Sequence, residues 1–243
     1  MAQNIYDNKS FFAAYNKLPR SQEGLAGAPE WPDLRKMVGS VKGAKVLDLG
    51  CGYGWFCRWA SENGATQIRG LDISQQMLKK AKRDWPADTR IEYQVVDLDE
   101  LDLIEHRYGL VYSSLAFHYI KDIKALFRKI YKSLLPDGRL VFSIEHPLFT
   151  APVTPEFDNV KRTWSLSSYQ HEGERTRHWL GADVKKQHRM LTTYIEALLE
   201  PGFRLDAFKE WKPTEEQLKA HPDWEMEMHR PVFLLMAASK PAE

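Results

Sequence analysis

The sequence predicts an α/β fold built on a doubly wound, mostly parallel sheet. Its centre alternates short apolar runs with segments of helical period, an order that is typical of strands joined by crossover helices. The first apolar run, residues 44–49, leads directly into three closely spaced glycines. Because ligands bind such sheets at the carboxyl ends of the strands, this glycine turn also predicts a binding site.

Five strands and three helices account for the central part of the chain. Strands are predicted at residues 44–49, 68–73, 91–96, 110–115 and 139–144. Helices are predicted between them, at residues 55–63, 75–84 and 123–134. Ser74 and Asp122 precede the second and third helices and are expected to cap them, while Gly64 ends the first. The Pro-Asp-Gly sequence at residues 136–138 predicts the turn into the fifth strand.

Two segments outside this regular part are expected to decorate the sheet. Residues 1–40 predict an N-terminal helical lid, and residues 149–187 lack a sustained helical period. Because an unstructured loop of that length is unusual inside a compact domain, we interpret residues 149–187 as an inserted cap after the fifth strand. A helix, a strand, a short acidic helix and a last strand are then expected at residues 190–199, 203–211, after 213 and at 232–238. The prediction is one domain, residues 1–243.

Composition and charge restrict the class of protein. A formal net charge of +1 over 243 residues argues against a general electrostatic attraction to nucleic acid or to acidic membranes. No apolar run approaches the roughly 20 residues that span a bilayer, and the N-terminus does not resemble a secretory signal. The two cysteines, Cys51 and Cys57, are interpreted as buried thiols in a reducing compartment. We therefore expect a cytoplasmic protein that binds neither membrane nor nucleic acid, and we leave its oligomeric state open.

The most informative motif is the glycine turn after the first strand. Asp48, Gly50, Gly52 and Gly54 follow one another at alternate positions. Glycine permits a positive φ and lets a ligand approach the backbone, and the helix that follows presents free N–H groups. In the dinucleotide fingerprint G-x-G-x-x-G the third glycine comes one position later than Gly54, and here bulky Trp55 follows at once. This spacing disfavours a bound pyrophosphate.

The D-x-G-x-G-x-G spacing resembles that of class I S-adenosylmethionine-dependent methyltransferases, most closely the small-molecule branch that includes ubiquinone- and biotin-pathway enzymes. Asp72 with Ile73 resembles the site at which the family binds the ribose hydroxyls, and Asp97 with Leu98 resembles the adenine site. The resemblance implies a seven-stranded Rossmann-like sheet with an antiparallel last strand. It also implies S-adenosylmethionine as cofactor and in-line transfer of a methyl group to O, N or C of a small organic acceptor.

The resemblance also suggests site residues. The candidates for cofactor binding are Asp48, Gly50, Cys51, Gly52, Gly54, Asp72, Ile73, Met77, Asp97, Leu98, Ser113 and Arg20. Ser113 ends the fourth strand, which faces the sulfonium in the family, and Arg20 could pair with the methionine carboxylate. If the acceptor must lose a proton, His118 is the first candidate for a general base, followed by His146 and His188. Each of these histidines could equally be structural.

No metal is expected, and two other functions stay open. The eight histidines contain no H-x-x-x-H pair, and no cysteine cluster supports a zinc site. The alternatives are a nicotinamide-dependent oxidoreductase and a non-catalytic cofactor-binding protein on the same fold. Asp72 does not discriminate, since a NAD-binding protein carries a similar acid about 20 residues after its glycines. The aromatic residues of the predicted cap, Trp164, Tyr169 and Trp179, suggest either a small core or a lid over a flat or apolar acceptor.

Overall fold

A computed structural model describes residues 3–86, 88–154 and 156–242 of the chain. The strands of this part are β1 (Lys45–Leu49), β2 (Gln67–Asp72), β3 (Ile91–Val95), β4 (Tyr108–Ser114), β5 (Leu134–Glu145), β6 (Phe157–Asp158), β7 (Thr163–Trp164), β8 (Gly173–Trp179), β9 (Ala182–His188), β10 (Arg204–Glu210) and β11 (Phe233–Ser239). The α-helices are α1 (Lys9–Tyr15), α2 (Pro19–Gln22), α3 (Trp31–Val38), α4 (Trp55–Glu62), α5 (Gln75–Asp84), α6 (Ile123–Ser133), α7 (Pro147–Thr150), α8 (Leu191–Leu199) and α9 (Glu215–Ala220). Short 3-10 helices lie at Ile5–Asp7, Phe117–Tyr119 and Pro222–His229.

Seven strands form one sheet, in the order β10-β11-β5-β4-β1-β2-β3. Neighbouring strands from β3 to β5 in this order are parallel, whereas β11 is antiparallel to both β5 and β10. The strand order reverses next to β1, which places the carboxyl ends of β1 and β4 at the edge where such sheets bind ligands. The predicted fold class is confirmed: a mostly parallel seven-stranded sheet with an antiparallel last strand and N-terminal helices.

The sheet is buried on both faces, which is why its central strands read as continuous apolar runs. Successive residues of β1 point to opposite faces, so Val46 belongs to one core cluster and Leu47 to the other. Phe127 of α6 and Tyr194 of α8 pack in the cluster of Leu47. Trp31 of α3 packs in the cluster of Val46. The sheet is therefore packed between helices on both faces. This packing fixes the position of the turns that follow the carboxyl ends of its strands.

The expected side-chain caps are present at the starts of α5 and α6. The Ser74 side chain accepts a hydrogen bond of 3.1 Å from the backbone N–H of Met77, at the start of α5. The Asp122 side chain accepts one of 2.9 Å from the N–H of Ala125, at the start of α6. Each cap satisfies a donor that the first helical turn leaves free, and so fixes where the loop after β2 or β4 must end.

Three features differ from the sequence-based expectation. Strand β5 begins at Leu134 and not at Arg139, because the Pro-Asp-Gly segment is accommodated as an irregularity in its pairing with β4. The 3-10 helices at Phe117–Tyr119 and Pro222–His229 were not expected. The segment predicted as an inserted cap contains the hairpin of β8 and β9, whose pattern of mainly charged residues hides the strand signal. No helix in the described residues is long and apolar enough to cross a membrane.

Candidate functional site

Two neighbouring cavities lie at the carboxyl ends of the central strands. The larger has a volume of about 460 Å³ and the smaller of about 100 Å³. Five residues line both of them, namely Tyr15, Arg20, Gly50, Gly52 and Ser114. The larger volume falls within the range of about 300–1,000 Å³ that is usual for sites of small ligands. Gly50 and Gly52 of the predicted glycine turn therefore lie in the wall that the two adjacent cavities share.

The three glycines of the turn have different roles. All three adopt a positive φ, of +75° at Gly50, +52° at Gly52 and +70° at Gly54, which disfavours any side chain. A Cβ on Gly52 would meet no atom within 4 Å, since this residue faces open space. A Cβ on Gly54 would instead overlap the hydroxyl of Tyr93, and Gly54 lines neither cavity. Gly52 leaves room for a ligand, whereas Gly54 leaves room for the packing of β3.

Asp72 ends β2 and places its carboxylate against the larger cavity. It accepts hydrogen bonds of 2.8 Å from the backbone N–H groups of both Gly52 and Ser74. Burial raises the pKa of Asp72 to about 6, so the group is ionised at neutral pH. A buried carboxylate that faces a cavity could accept two hydrogen bonds from a vicinal diol.

The other candidates after β2 and β3 line the same cavity. Ile73 and Met77 follow Asp72 along the chain, and Asp97 and Leu98 follow β3. Asp97 also accepts a hydrogen bond of 3.1 Å from the backbone N–H of Asp99, which orders the turn. The structure thus brings together side chains that the sequence predicted at the ends of two neighbouring strands.

Asp48, Cys51 and Arg20 line the smaller cavity. Asp48 is buried, and burial raises its pKa to about 7. It accepts a hydrogen bond of 3.2 Å from the thiol of Cys57. Arg20 reaches this cavity from the N-terminal segment and donates to both carboxylate oxygens of buried Glu30, at 2.8 and 3.1 Å. The smaller cavity therefore contains a guanidinium and a carboxyl group in a partly apolar wall.

Three further predicted residues do not reach either cavity. Ser113 donates a hydrogen bond of 2.7 Å to the carbonyl of Leu49, inside the sheet. Its neighbour Ser114 lines the cavities instead, because successive residues of a strand face opposite sides. His146 caps α7 through the N–H of Leu148 and lies 3.1 Å from Glu210.

His188 is engaged in the same structural way. Its Nδ1 lies 2.8 Å from the hydroxyl of Thr150, and its Nε2 lies 2.9 Å from the carbonyl of Tyr169. Nδ1 therefore joins the end of the hairpin to α7, Nε2 joins it to the segment before β8, and His188 does not line the larger cavity.

His118 does line the larger cavity. Its Nδ1 accepts a hydrogen bond of 3.3 Å from the backbone N–H of Glu145. Burial lowers the pKa of His118 to about 4, so the ring is neutral at physiological pH. A neutral imidazole whose Nδ1 is an acceptor carries its proton on Nε2. His118 is thus arranged as a hydrogen-bond donor more than as a base.

The sequence did not reveal several residues that complete the cavity wall. Tyr6 and Tyr119 both line it, and their hydroxyl oxygens are 3.0 Å apart. Lys186 of β9 lines it too, in an ion pair with Glu145 at the end of β5. Arg177 reaches it from β8. The only available signal was the presence of charged residues in an otherwise irregular segment, and this did not identify which of them face inward.

Of the aromatic residues in the predicted cap, Trp179 lines the cavity. Its ring packs edge-to-face against Phe11 and Tyr15 of α1, with centroids 5.5 and 6.0 Å apart. Trp164 instead donates a hydrogen bond of 2.9 Å to the carbonyl of Met226, and Tyr169 packs against His188. Trp179 thus joins the hairpin to α1 at the cavity wall, while Trp164 and Tyr169 make their contacts outside the cavity lining.

The N-terminal segment connects the loop after β2 with the hairpin. Asp7 accepts hydrogen bonds from the Ser74 hydroxyl at 2.6 Å and from the Gln76 N–H at 3.0 Å. On the other side, the Gln3 side chain accepts from the N–H of Lys185 and donates to the carbonyl of Asp183, both at 2.9 Å. Tyr6 lies between these two anchors and faces the cavity. Residues 3–7 therefore link the start of α5 to the hairpin and form part of the cavity wall.

Comparison with known proteins identifies the chain. The sequence profile of the family described as "Methyltransferase domain" matches residues 47–142. The crystal structure of an S-adenosylmethionine-dependent methyltransferase from Mesorhizobium loti is 46% identical, with a TM-score of 0.84, and the match covers 89% of this chain and 100% of that one. The chain belongs to the S-adenosylmethionine-dependent methyltransferases. The predictions of family, methyltransferase activity and cofactor are confirmed, and the oxidoreductase and non-catalytic alternatives are set aside.

Two relatives of this methyltransferase differ in the share of its sequence that aligns with them. An uncharacterised protein of Haemophilus influenzae is 32% identical over 98% of this chain and 97% of its own length. A malonyl-[acyl-carrier protein] O-methyltransferase of Hamiltonella defensa is 30% identical over 56% of this chain. In that second comparison the chain spans only about half of the relative, 52% of its length. The resemblance to an enzyme of named substrate therefore covers only part of the methyltransferase.

The site fits the cofactor of the family. Gly52 leaves the backbone of the turn open, and the Asp72 carboxylate faces the cavity beside it. Gly52 therefore allows the cofactor to approach the backbone closely, and Asp72 offers an acceptor for the ribose hydroxyls. No group of three or more His, Cys, Asp or Glu side chains that could hold a metal ion occurs among the described residues.

Proposed function

We propose that this methyltransferase methylates a small organic acceptor that enters the larger cavity, and that it does so in the cytoplasm. The supporting observation is that one cavity of about 460 Å³ extends from Asp72 and the glycine turn to His118 and Trp179. Such a space can take a cofactor and a small acceptor together. The two buried, unpaired cysteines are consistent with a reducing compartment.

The proposed cofactor site uses the residues at the strand ends. Asp72 would accept the two ribose hydroxyls, and Asp97 with Leu98 would bind the adenine. The methionine end would lie in the smaller cavity, next to Arg20 and Asp48. When bound, S-adenosylmethionine supplies a methyl group on an already activated leaving group, so the protein's task is alignment and exclusion of water.

The proposed acceptor site lies between the end of β4 and the hairpin. His118 would donate a hydrogen bond from Nε2 to the acceptor, since its Nδ1 is already bonded and its ring is neutral. Tyr6, Tyr15 and Trp179 would exclude water. In this proposal residues 1–40 and 149–187 are the lid and the cap of one domain.

Two measurements test the proposal. Calorimetric titration with S-adenosylhomocysteine should show one site, and titration with NAD should show none. A screen of small acids, phenols and amines with S-adenosylmethionine, read by mass spectrometry, should yield a methylated product. Tight binding of NAD, or methylation of tRNA or protein with no small product, would contradict the proposal.

A further inference from the structure

We propose that the acceptor of this methyltransferase is a monocarboxylate with a flat apolar body, anchored by Lys186. This inference rests on the proposed function and names the class of acceptor. It is carried by the charges at the hairpin end of the larger cavity. That end lies away from Asp72 and Asp97, which face the proposed cofactor.

Lys186 is buried at the wall of this cavity, where it contacts a carboxylate and two aromatic rings. Its side chain is 8% exposed and pairs with Glu145, which is 15% exposed. Its Nζ lies 5.4 Å from the centre of the Trp179 ring and 5.8 Å from that of Tyr119. The ammonium has three N–H groups, of which one points at Glu145, so donors remain for a ligand.

Glu145 neutralises Lys186 but does not neutralise this end of the cavity. Burial raises the pKa of Glu145, but its interactions with His118, Lys186 and Arg177 outweigh burial, and the pKa is lowered overall. Glu145 is therefore a carboxylate at neutral pH. The Lys186–Glu145 pair contributes no net charge.

Arg177 adds a positive charge that interacts with Glu145 but forms no ion pair with it in the described residues. Its guanidinium donates to the carbonyls of Val153 at 2.9 Å, Thr150 at 3.3 Å and Phe149 at 3.4 Å, and also to that of Pro152. Carbonyl oxygens satisfy donors but carry no formal charge. In the described part of the chain Arg177 forms no ion pair, so this end of the cavity carries one net positive charge.

The neighbouring charged groups do not cancel that charge. Arg189 also has neutral partners, the carbonyls of Ile120 and Lys121, but it does not line the cavity and is not counted with this end. Arg230 stacks on Phe149 and lies 3.9 Å from Glu227, forming a balanced pair behind the wall. Arg177 is only partly buried, but a positive charge at an apolar cavity wall still loses hydration, and an anionic ligand would offset that cost.

The available donors favour a carboxylate over a phosphate. The terminal nitrogens of Arg177 donate to carbonyls, so the donors that we assign to the ligand are the Lys186 ammonium and the Nε2–H of His118. Two donors and one net charge match the two oxygens and single charge of a carboxylate. A phosphate monoester carries up to two charges and three oxygens, and needs more donors than this end presents.

The aromatic wall determines the rest of the ligand. Tyr6, Tyr119 and Trp179 line the cavity beside Lys186, with Phe149 close to them. Aromatic faces favour flat or apolar bodies. The anchored molecule is therefore expected to be an aromatic or unsaturated acid of low molecular mass.

The test uses matched acids and amides as probes. Benzoate and cinnamate are titrated into the full-length protein saturated with S-adenosylhomocysteine, each beside its amide, which has the same shape but no charge. The acids should bind about tenfold more tightly or better, as expected for a hydrogen bond to a charged group. Acids that bind no better than their amides, or phenyl phosphate that outbinds benzoate, would overturn the proposal.

Variants of the hairpin assign the effect to Lys186. Lys186→Met should reduce benzoate affinity to that of benzamide. Lys185→Met is the matched control, because Lys185 is the adjacent residue and pairs at 2.9 Å with the exposed Glu174. It should leave both affinities unchanged.

Two further variants separate recognition from folding. Lys186→Met leaves Glu145 buried without its partner, so the double variant Lys186→Met/Glu145→Gln restores neutrality and should show the same loss of benzoate binding. Glu145→Gln alone removes the competing carboxylate and should tighten benzoate binding severalfold. Weaker benzoate binding by Glu145→Gln would overturn the proposal. Binding of S-adenosylhomocysteine, measured first in each variant, tests the proposed function separately.

Discussion

The backbone N–H of Gly52 donates a hydrogen bond of 2.8 Å to the carboxylate of Asp72, which joins the glycine turn after β1 to the end of β2. The N–H groups of Gly50 and Cys51 also bond to the end of β2, both to the carbonyl of Leu71, at 2.8 and 3.0 Å. The turn is therefore already positioned by the sheet before any ligand binds. This preorganisation reduces the entropy that cofactor binding must overcome.

Asp72→Asn should weaken the binding of S-adenosylhomocysteine by about tenfold to a hundredfold, because a charged acceptor at a buried hydrogen-bonding site is replaced by a neutral one. Calorimetric titration at pH 7.5 measures the change. Asp84→Asn, at the exposed end of α5, carries the same charge change and should have no effect.

The pH dependence of the same titration provides an independent check. Because the pKa of Asp72 is raised to about 6, protonation competes with the ligand as the pH falls through that value. The affinity of the wild-type protein should therefore decline below about pH 6, and the decline should be absent in Asp72→Asn. An identical pH profile in the two proteins would show that Asp72 does not contact the ligand.

Gly54→Ala and Gly52→Ala should separate folding from binding. A methyl group at residue 54 would overlap the Tyr93 hydroxyl, so the variant should lose several kcal/mol of folding stability, by analogy with overpacked cores. At residue 52 the methyl group enters open space, so stability should fall by only about 1–2 kcal/mol, for the strained φ of +52°. Cofactor affinity should fall most in Gly52→Ala.

Urea unfolding of both glycine variants, with and without S-adenosylhomocysteine, measures the two effects. If Gly54→Ala unfolded like the wild type while binding weakly, Gly54 would be a ligand-binding residue and not a packing residue.

The sequence predicted the parts of the fold that local signals determine. Strands β1 to β4 were located within two residues, since each is a short apolar run, and α5 and α6 were located by their caps, Ser74 and Asp122. Strands β8 and β9 were missed although they pair locally as a hairpin, because their mainly charged residues lack the apolar alternation of a half-buried strand.

The site was predictable where the parallel sheet brings strand ends together. Asp72 and Asp97 were identified by the family resemblance at the ends of β2 and β3, and both line the larger cavity. Ser113 and Ser114 could not be separated, since a shift of one residue moves a side chain to the other face of the strand. Lys186 and Tyr6 come from opposite ends of the chain, so no local pattern could indicate that they meet.

Asp48→Asn should remove a pH-dependent loss of stability. The pKa of buried Asp48 is raised from 3.8 to about 7, so the folded state holds its proton more tightly than the unfolded state does. The contribution of Asp48 to the free energy of unfolding is fully present below about pH 4, the pKa of the unfolded chain. It is lost as the pH rises to about 7. The difference between a pKa of 3.8 and one of about 7 corresponds to roughly 4 kcal/mol.

Comparing the two proteins isolates this contribution. The free energy of unfolding of the wild type, minus that of Asp48→Asn, should fall between pH 4 and pH 8. Subtraction is needed because His118, whose pKa is lowered to about 4, contributes in the opposite direction over part of this range. A difference that did not change with pH would mean that Asp48 ionises as easily in the folded state as in the unfolded chain.

Asp7→Asn should speed the release of the cofactor product. Asp7 holds residues 3–7 to the start of α5 through the Ser74 hydroxyl and the backbone N–H groups of Gln75 and Gln76. Burial opposes the charged form of Asp7, but these hydrogen bonds outweigh it and lower its pKa, so the carboxylate is ionised at neutral pH. An amide presents one acceptor oxygen in place of two, so the segment should detach more often.

Stopped-flow displacement of S-adenosylhomocysteine from Asp7→Asn should then show a severalfold higher dissociation rate. Asp33→Asn on α3, which breaks an ion pair with Lys209 away from the cavity, is the control. Equal rates in the two variants would show that residues 3–7 do not limit exit from the site.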